Sequence, residues 1–311
     1  MSAKTAFPLI GANLLFALIS SAGEPAMSTF SSPTITNPQA FPEFDFLTGT
    51  FTQTGEMDLD NGPGDLSISK FQLTAFLSEP ITLMENLTMI PIFSYNTTQL
   101  DFDDVGAAFP IQDEDLHSIS LSSVFLKNFQ NSPWMVIGYA RAEMATDFQA
   151  ISTDDLTFDL AAGIAYRFSD TFTLGAGFVV TNLNGDDEIF PGINFDWAPC
   201  ESFRAGIYGA NILATYNISD NWHISLDGTP GGGNFNIRDA AGRSRTIQLD
   251  SYWVSINTHH RIVGELWFNA GVGYTFANEI EVRGNTGGGP SFSREMDGAP
   301  LAQIGLSLHK W

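Results

Sequence analysis

Charge is scarce in this chain. Of 311 residues, 15% are Asp, Glu, Lys or Arg, against roughly 25% in an ordinary soluble domain. Basic residues are the scarcest, with 13 Lys plus Arg facing 35 Asp plus Glu. Nucleic acid is excluded as a partner on that ground, because neutralising phosphates requires clustered basic side chains. Cysteine is almost absent as well. Cys200 stands alone, so no internal disulfide holds the fold, and in WAPCESF it reads as a bystander at a turn. After residue 22 no apolar run reaches the about 18 residues of a membrane-crossing helix.

Signatures of chemistry are missing too. The sequence has no Gly-x-Ser-x-Gly elbow and no zinc spacing, and His117, His223, His259, His260 and His309 form no metal pattern. The runs Gly231–Gly233 and Gly287–Gly289 lack the Lys and Ser/Thr of a phosphate loop and read as flexible external loops. No catalytic residue, cofactor or resident metal is expected. Acidic pairs at Asp103-Asp104, Asp154-Asp155 and Asp186-Asp187-Glu188, with Asp58, Asp60 and Asp65, have the oxygen chemistry of a Ca²⁺ or Mg²⁺ loop. Their simpler reading is a solvated acidic rim.

What is present begins with an export signal. Lys4 precedes an apolar stretch ending near Ile19, and Ser20-Ser21-Ala22 follows with small residues at the positions a signal peptidase reads. Pro8 and Asn13 interrupt the stretch, which is too short for a membrane anchor of about 20 residues. Residues 1–22 are therefore a cleaved signal, and 23–43, rich in Ser, Thr and Pro, a flexible leader. Residues 44–311 form one domain.

In that domain the dominant pattern is strict alternation. Leu156, Phe158, Leu160, Ala162, Ile164, Tyr166 and Phe168 interleave with Thr157, Asp159, Ala161, Gly163, Ala165 and Arg167, a register much longer than the common strand of about 5–6 residues. Similar windows fall at 65–78, 87–102, 116–129, 134–145, 172–180, 246–258 and 266–276, separated by polar connections that are alternately short and long. Three related stretches, YRFSDTFTL (166–174), YNISDNWHI (216–224) and YTFANEIEV (274–282), read as tight turns. Their aromatics, Tyr166, Phe168, Phe172, Tyr216, Trp222, Tyr274 and Phe276, would sit at the lipid headgroups, where amphipathic rings gather. Lipid offers the backbone no hydrogen bonds, so such a sheet must close on itself. The expected fold is all-β: a closed antiparallel up-and-down transmembrane β-barrel of about 12–14 strands. A secreted β-sandwich would also alternate, but explains neither the length of the register nor the aromatics at the turns.

The face opposite the apolar one holds Asp159, Arg167 and Glu265 among small residues, and these are the lumen candidates. At 202–218 the apolar phase shifts from odd to even, which requires either a bulge near Gly209 or a tight turn there that makes two strands too short to span. In the last segment Ala302, Ile304, Leu306 and Leu308 alternate out of phase with the terminal Trp311.

At 191–228 a Pro opens a strand, a Trp precedes a Pro-containing turn, and YNISDNW follows. On these residues the chain resembles an uncharacterised family of exported outer-membrane β-barrel proteins, loosely over residues 45–311. The resemblance implies a barrel in the outer membrane of a Gram-negative-type bacterium, with membrane lipid and the barrel-assembly machinery as partners, and brings no catalytic residues. A pore or transport barrel for small polar or cationic solutes is the expected function. A structural or surface-binding barrel and a membrane-embedded hydrolase are the alternatives.

Overall fold

The computed structural model describes residues 45–309, apart from 61, 107–108, 150, 152, 184–185, 239–243 and 285–291. The signal and leader, Gly287–Gly289 and Trp311 lie outside the described residues, as do the side chains of Asp154, Asp186, Asp187 and Glu188. All described strands belong to one sheet, and fourteen of them are staves of a closed antiparallel barrel. They are β1 (Asp45–Thr54), β3 (Asp65–Phe76), β5 (Leu87–Asp103), β6 (Glu114–Asn128) and β7 (Trp134–Thr146); β8 (Leu156–Ser169), β9 (Phe172–Leu183), β10 (Asp186–Cys200), β11 (Phe203–Tyr208) and β12 (Asn211–Ser219); and β13 (Trp222–Pro230), β15 (Ser244–Val263), β16 (Leu266–Gly284) and β18 (Pro300–His309). Closure comes from β1, which pairs with β3 on one side and β18 on the other. Four shorter strands, β2 (Met57–Asp58), β4 (Ile81–Met84), β14 (Gly233–Arg238) and β17 (Phe292–Met296), complete the sheet.

One rim is made of tight connections at 170–171, 201–202, 220–221 and 264–265. Both ends of the described chain lie there, since Asp45 pairs with His309. Tyr166 faces Leu174 and Tyr216 faces Ile224, and in each case a bulge beside the turn leaves two residues in the loop. The flanking rings touch in series: Trp134 to Tyr166 at 4.8 Å between centroids, Tyr166 to Phe168 at 4.7 Å, Phe168 to Phe172 at 5.4 Å and Phe172 to Phe195 at 5.7 Å. This is an aromatic girdle at one lipid interface.

The third stretch behaves differently. Residues 274–282 contain no turn but lie inside the 19-residue β16. Ala277 takes a positive φ of 53° at a bulge against β15, and the extra residue flips the phase. Tyr274 and Phe276 stay on the outer surface, at the height opposite the short turns, while Ile280 and Val282 are fully buried inside. The sequence 202–218 resolves the other way, as a hairpin. Tyr208 pairs with Asn211 across Gly209–Ala210, with Gly209 at a φ of 66° that glycine adopts without cost. β11 and β12 are therefore short staves of 6 and 9 residues.

The wall changes polarity along its length. In β5, Phe93 and Tyr95 point outward while Ser94, Asn96 and Thr98 are buried inside. A few residues further from the short turns the order inverts: Leu100 and Phe102 are inside, and Gln99, Asp101 and Asp103 are exposed. β3, β6, β15 and β16 invert at corresponding places, with Leu66, Leu116, Leu249 and Ile280 buried beyond the switch. Strands with an apolar exterior and a polar interior suit lipid; strands with the opposite arrangement suit water. The inversion marks where the barrel leaves the membrane.

Beyond that level lies an upper tier with its own closure. β2, β3, β5 and β6 lead to β7, whose Thr146 bridges Asn236 of β14; β14 pairs with β15, β15 with β16, and β16 with β17. The ring closes through the Leu59–Met296 bridge and the Asp60 N–H to Glu295 carbonyl bond of 2.9 Å. Inside it Met57, Leu66, Ile68, Leu100, Leu116, Ile237, Ile247, Leu249, Ile280 and Val282 form one buried core. To reach β7, the chain after β13 kinks into the mouth at Gly231–Gly232. Gly231–Gly233 is thus not an external loop: all three residues are buried, and a Cβ on Gly232 would collide with the Leu249 carbonyl.

Ala162 tests the orientation of the wall. It is exposed on the outer face of β8, opposite Gly138 and beside Phe178. Lipid yields to a larger side chain where a protein core does not, so Ala162→Phe should leave stability unchanged or slightly raised. Ala162→Arg should cost about 2–4 kcal/mol near the bilayer midplane. Denaturant titration of protein folded into liposomes measures both, and a large loss from the Phe variant would contradict the lipid-facing assignment.

Candidate lumen site

Below the upper tier the inner wall is mainly polar, apart from a small apolar cluster of Phe76, Ile90, Ile92 and Val124 on β3, β5 and β6 toward the short-turn rim. β1 contributes Thr48, Thr52 and Thr54, β5 Ser94, Asn96 and Thr98, β6 Ser118, Ser120 and Ser122, and β15, β16 and β18 Ser255, Asn257, Asn269 and Ser307, all buried. The alternation that sends aromatics to lipid sends these residues inward.

Charges in this lining are paired. On β7 and β8, Arg141 Nε donates to Asp159 Oδ2 at 2.7 Å, and its Nη2 lies 3.1 Å from Glu143 Oε2. Ser118 donates to Glu143 and Thr181 to Asp159, each at 2.5 Å. The three charged residues are almost fully buried, and the hydroxyls satisfy the remaining carboxylate oxygens. On β10 and β11, Arg204 grips Asp196 with two bonds of 2.7 Å, and the Tyr208 hydroxyl donates to the same carboxylate at 3.2 Å. On β13 and β15, Asp227 accepts from Ser225 and Asn257. Lys70 of β3 stands 5.4 Å from the Trp253 ring, spanning the interior.

Near the short-turn rim the interior turns aromatic and imidazole-rich. His223 stacks on His259 at 4.3 Å, Trp267 on His309 at 4.7 Å, and His223 tilts against Trp267 at 5.2 Å. Ser225 lies 3.1 Å from His259 Nε2, but it donates to Asp227 rather than to the imidazole. Among the described residues no group of three or more His, Cys, Asp or Glu is placed to hold a metal ion.

Of the lumen candidates, Asp159 lies at the centre of the buried ionic cluster. Arg167 is exposed at the short-turn end of β8. Glu265 is exposed in the Gly264–Glu265 turn and does not line the lumen; its neighbour Trp267 is the first residue of that face to be buried. Tyr166, Phe168, Phe172, Tyr216 and Trp222 flank the short turns, and Tyr274 and Phe276 lie at the opposite height. Cys200 is exposed beside the 201–202 turn. Arg141 and Glu143 are functional residues that alternation alone does not single out. Their signal was available, as two charges at alternate positions inside the otherwise apolar window 134–145. Their pairing with Asp159 depends on register, which a single strand does not reveal.

A cavity of about 160 Å³ lies against the inner wall of β7 to β10. Gly163, Gly177 and Gly192 stand in register across β8, β9 and β10, so the wall there carries no side chains. Ala161 and Val179 flank this bare strip, with Tyr139, Arg141 and Asp159 at one side and Tyr208, Gly209 and Ala210 at the other. The Tyr139 hydroxyl, buried beside Ser122, and the Ser122 hydroxyl itself lack a well-formed hydrogen bond.

The sequence profile of DUF6268, a domain of unknown function, matches residues 54–297. No curated protein matches the chain. Among solved structures it is similar to an outer-membrane channel of Pseudomonas putida F1 at 12% identity, covering 88% of this chain and 98% of that one, with a TM-score of 0.41. It is also similar to the NanC porin at 7% identity, 85% and 100% coverage and a TM-score of 0.36. The Pseudomonas putida toluene transporter TodX is similar at 10% identity, 94% and 97% coverage and a TM-score of 0.33. These are likenesses of fold at low identity.

Proposed function

The chain belongs to the DUF6268 family, and we propose that it is an outer-membrane transport barrel for small polar solutes, with cations favoured at its mouth. One contrast carries this reading. The same strands that fill the upper tier with Leu, Ile, Val and Met change mainly to Ser, Thr and Asn inside the lipid-crossing tier, where the apolar filling shrinks to the four-residue cluster of Phe76, Ile90, Ile92 and Val124. A barrel that needed only to be solid would continue the apolar filling; a hydroxyl and amide lining can solvate a polar solute. The short-turn rim faces the periplasm in this reading, the upper tier faces outward, and export proceeds through the signal at 1–22. Membrane lipid and the barrel-assembly machinery are the partners it implies, with divalent cations at the acidic loops as a further proposal.

Cation preference follows from where the acid lies. Asp101, Asp103, Asp115, Glu279 and Glu281 point outward on the upper tier, whereas in the lumen Glu143, Asp159, Asp196 and Asp227 are largely offset by Lys70, Arg141 and Arg204, and Arg167 and Arg261 are exposed at the short-turn rim. A charged mouth concentrates counter-ions. In planar bilayers the reversal potential in a salt gradient should therefore show modest cation preference, fading as screening shortens to roughly 3 Å at 1 M salt. Anion preference would contradict the mouth assignment. Absence of any conductance would favour a closed structural barrel, the reading that the packed upper tier supports.

A further inference from the structure

The upper tier narrows the axial route with a packed core. Its ring of strands is close to the eight-stranded size at which side chains fill a barrel, and its core is buried throughout. That ring passes from β7 directly to β14 and so bypasses β8 to β13. In this bypassed sector the wall is cut down. A strand of 6 residues is about 20 Å long and, tilted like a barrel stave, rises less than the about 25 Å of the apolar band, so β11 ends inside it. On neighbouring β10 the lipid-facing surface continues past that level through Ile193 and Ile189, 56% and 66% exposed.

The result is a notch with Gly209–Ala210 as its floor. The last bonds across it are Gly209 N–H to the Ile193 carbonyl at 3.2 Å on the β10 side and Thr229 Oγ1 to Asn211 Oδ1 at 2.8 Å on the β13 side; above Ile193 and Thr229 neither edge has a ladder partner on this side among the described residues. Unpaired edges within lipid are costly, yet each edge here carries a proline, Pro191 and Pro230, the residue that has no N–H to pair. The edges are built to stay open. Directly inside the notch lies the cavity, with the glycine strip as its back wall and Gly209–Ala210 at its lip.

We propose that the lumen opens sideways through this notch into the lipid leaflet nearer the long loops, and that the cavity behind it takes small uncharged molecules. Its volume is close to the about 150 Å³ of an engineered cavity that accepts benzene, so the bulk of one six-membered ring is the expected size. The walls exclude ions, since Arg141 and Arg204 are already neutralised by Asp159 and Asp196, while the Tyr139 hydroxyl can meet one polar atom of the guest. This inference rests on the transport-barrel reading for its purpose, but its test does not pass through conductance.

The test places a nitroxide on single cysteines in a Cys200→Ser background, folded into liposomes, and compares collision with oxygen, which concentrates in lipid, against collision with a neutral water-soluble nickel chelate. Gly192→Cys and Val179→Cys both point inward at the cavity, and a Cβ on Gly192 meets nothing closer than 3.9 Å. Ile193→Cys is the lipid reference and Ser94→Cys the lumen reference. The inference expects both cavity labels to read like Ile193 despite facing inward. Labels that read like Ser94 would overturn the side opening. In parallel, ¹⁹F NMR with fluorobenzene should show a bound signal that is lost in Ala161→Phe and kept in Leu160→Phe, which lies on the outer face away from the cavity. No bound signal, or one indifferent to Ala161→Phe, would overturn the cavity as a binding site. Ionic conductance of the unmodified protein judges the transport reading separately.

Discussion

Asp159→Ala is expected to destabilise the folded barrel by about 3–5 kcal/mol, the range for removing one partner from a buried ion pair. Arg141 donates to Asp159 and approaches Glu143, and losing Asp159 leaves a fully buried guanidinium with one carboxylate that already accepts from Ser118. The Thr181 hydroxyl loses its acceptor in the same step. Desolvation of the remaining charge, rather than the lost attraction, supplies most of the cost. Replacing the group as a unit, with Arg141→Met, Glu143→Gln and Asp159→Leu together, should recover much of the loss, because no unpaired charge is left inside. Denaturant titration in liposomes measures both proteins. A triple variant no more stable than Asp159→Ala would show that the cluster is held by something other than charge pairing.

Ile280→Ala is expected to cost about 2–5 kcal/mol, the range for truncating a buried aliphatic side chain and leaving a cavity. Ile280 is fully buried in the upper tier, paired in register with Leu249 and Arg294. Glu279→Ala, one residue away on the water-facing side, should stay within about 0.5 kcal/mol. The contrast is diagnostic because a transmembrane barrel without the inversion would give the opposite result: the outward residue would meet lipid and the inward one a wet lumen. Equal effects from the two substitutions would remove the upper tier as a packed, water-exposed unit.

Both results depend on features whose legibility in the sequence was unequal. The alternation in β8, the apolar outer face from Leu156 to Phe168 and the aromatics beside the 170–171 and 220–221 turns are local properties of one strand or one hairpin. Periodicity of two and the chemistry of a lipid interface suffice to read them, and the barrel class with about 12–14 strands follows; the count of fourteen needed the hairpin at Gly209–Ala210, which the phase shift at 202–218 left open. The turn expected at 274–282 failed for an equally local reason. A bulge and a turn both interrupt alternation around a positive φ, and ANEIEV offers no glycine or proline to separate them. Gly231–Gly233 failed because glycine serves exposed loops and crowded kinks alike; only the Leu249 carbonyl beside Gly232 distinguishes the two.

Sequence by itself therefore determined the sheet, its two faces and its fit to lipid, since these are set by neighbours two residues apart along the chain. Tertiary structure alone decided what the inside holds. The Arg141–Asp159–Glu143 cluster needs the register between β7 and β8, the glycine strip needs three strands aligned at 163, 177 and 192, and the upper tier needs β14 to reach β7 across the mouth. Each is a relation between segments far apart in sequence. Polarity that inverts along a strand looks like lost alternation until the partners facing it on the other side of the barrel are known.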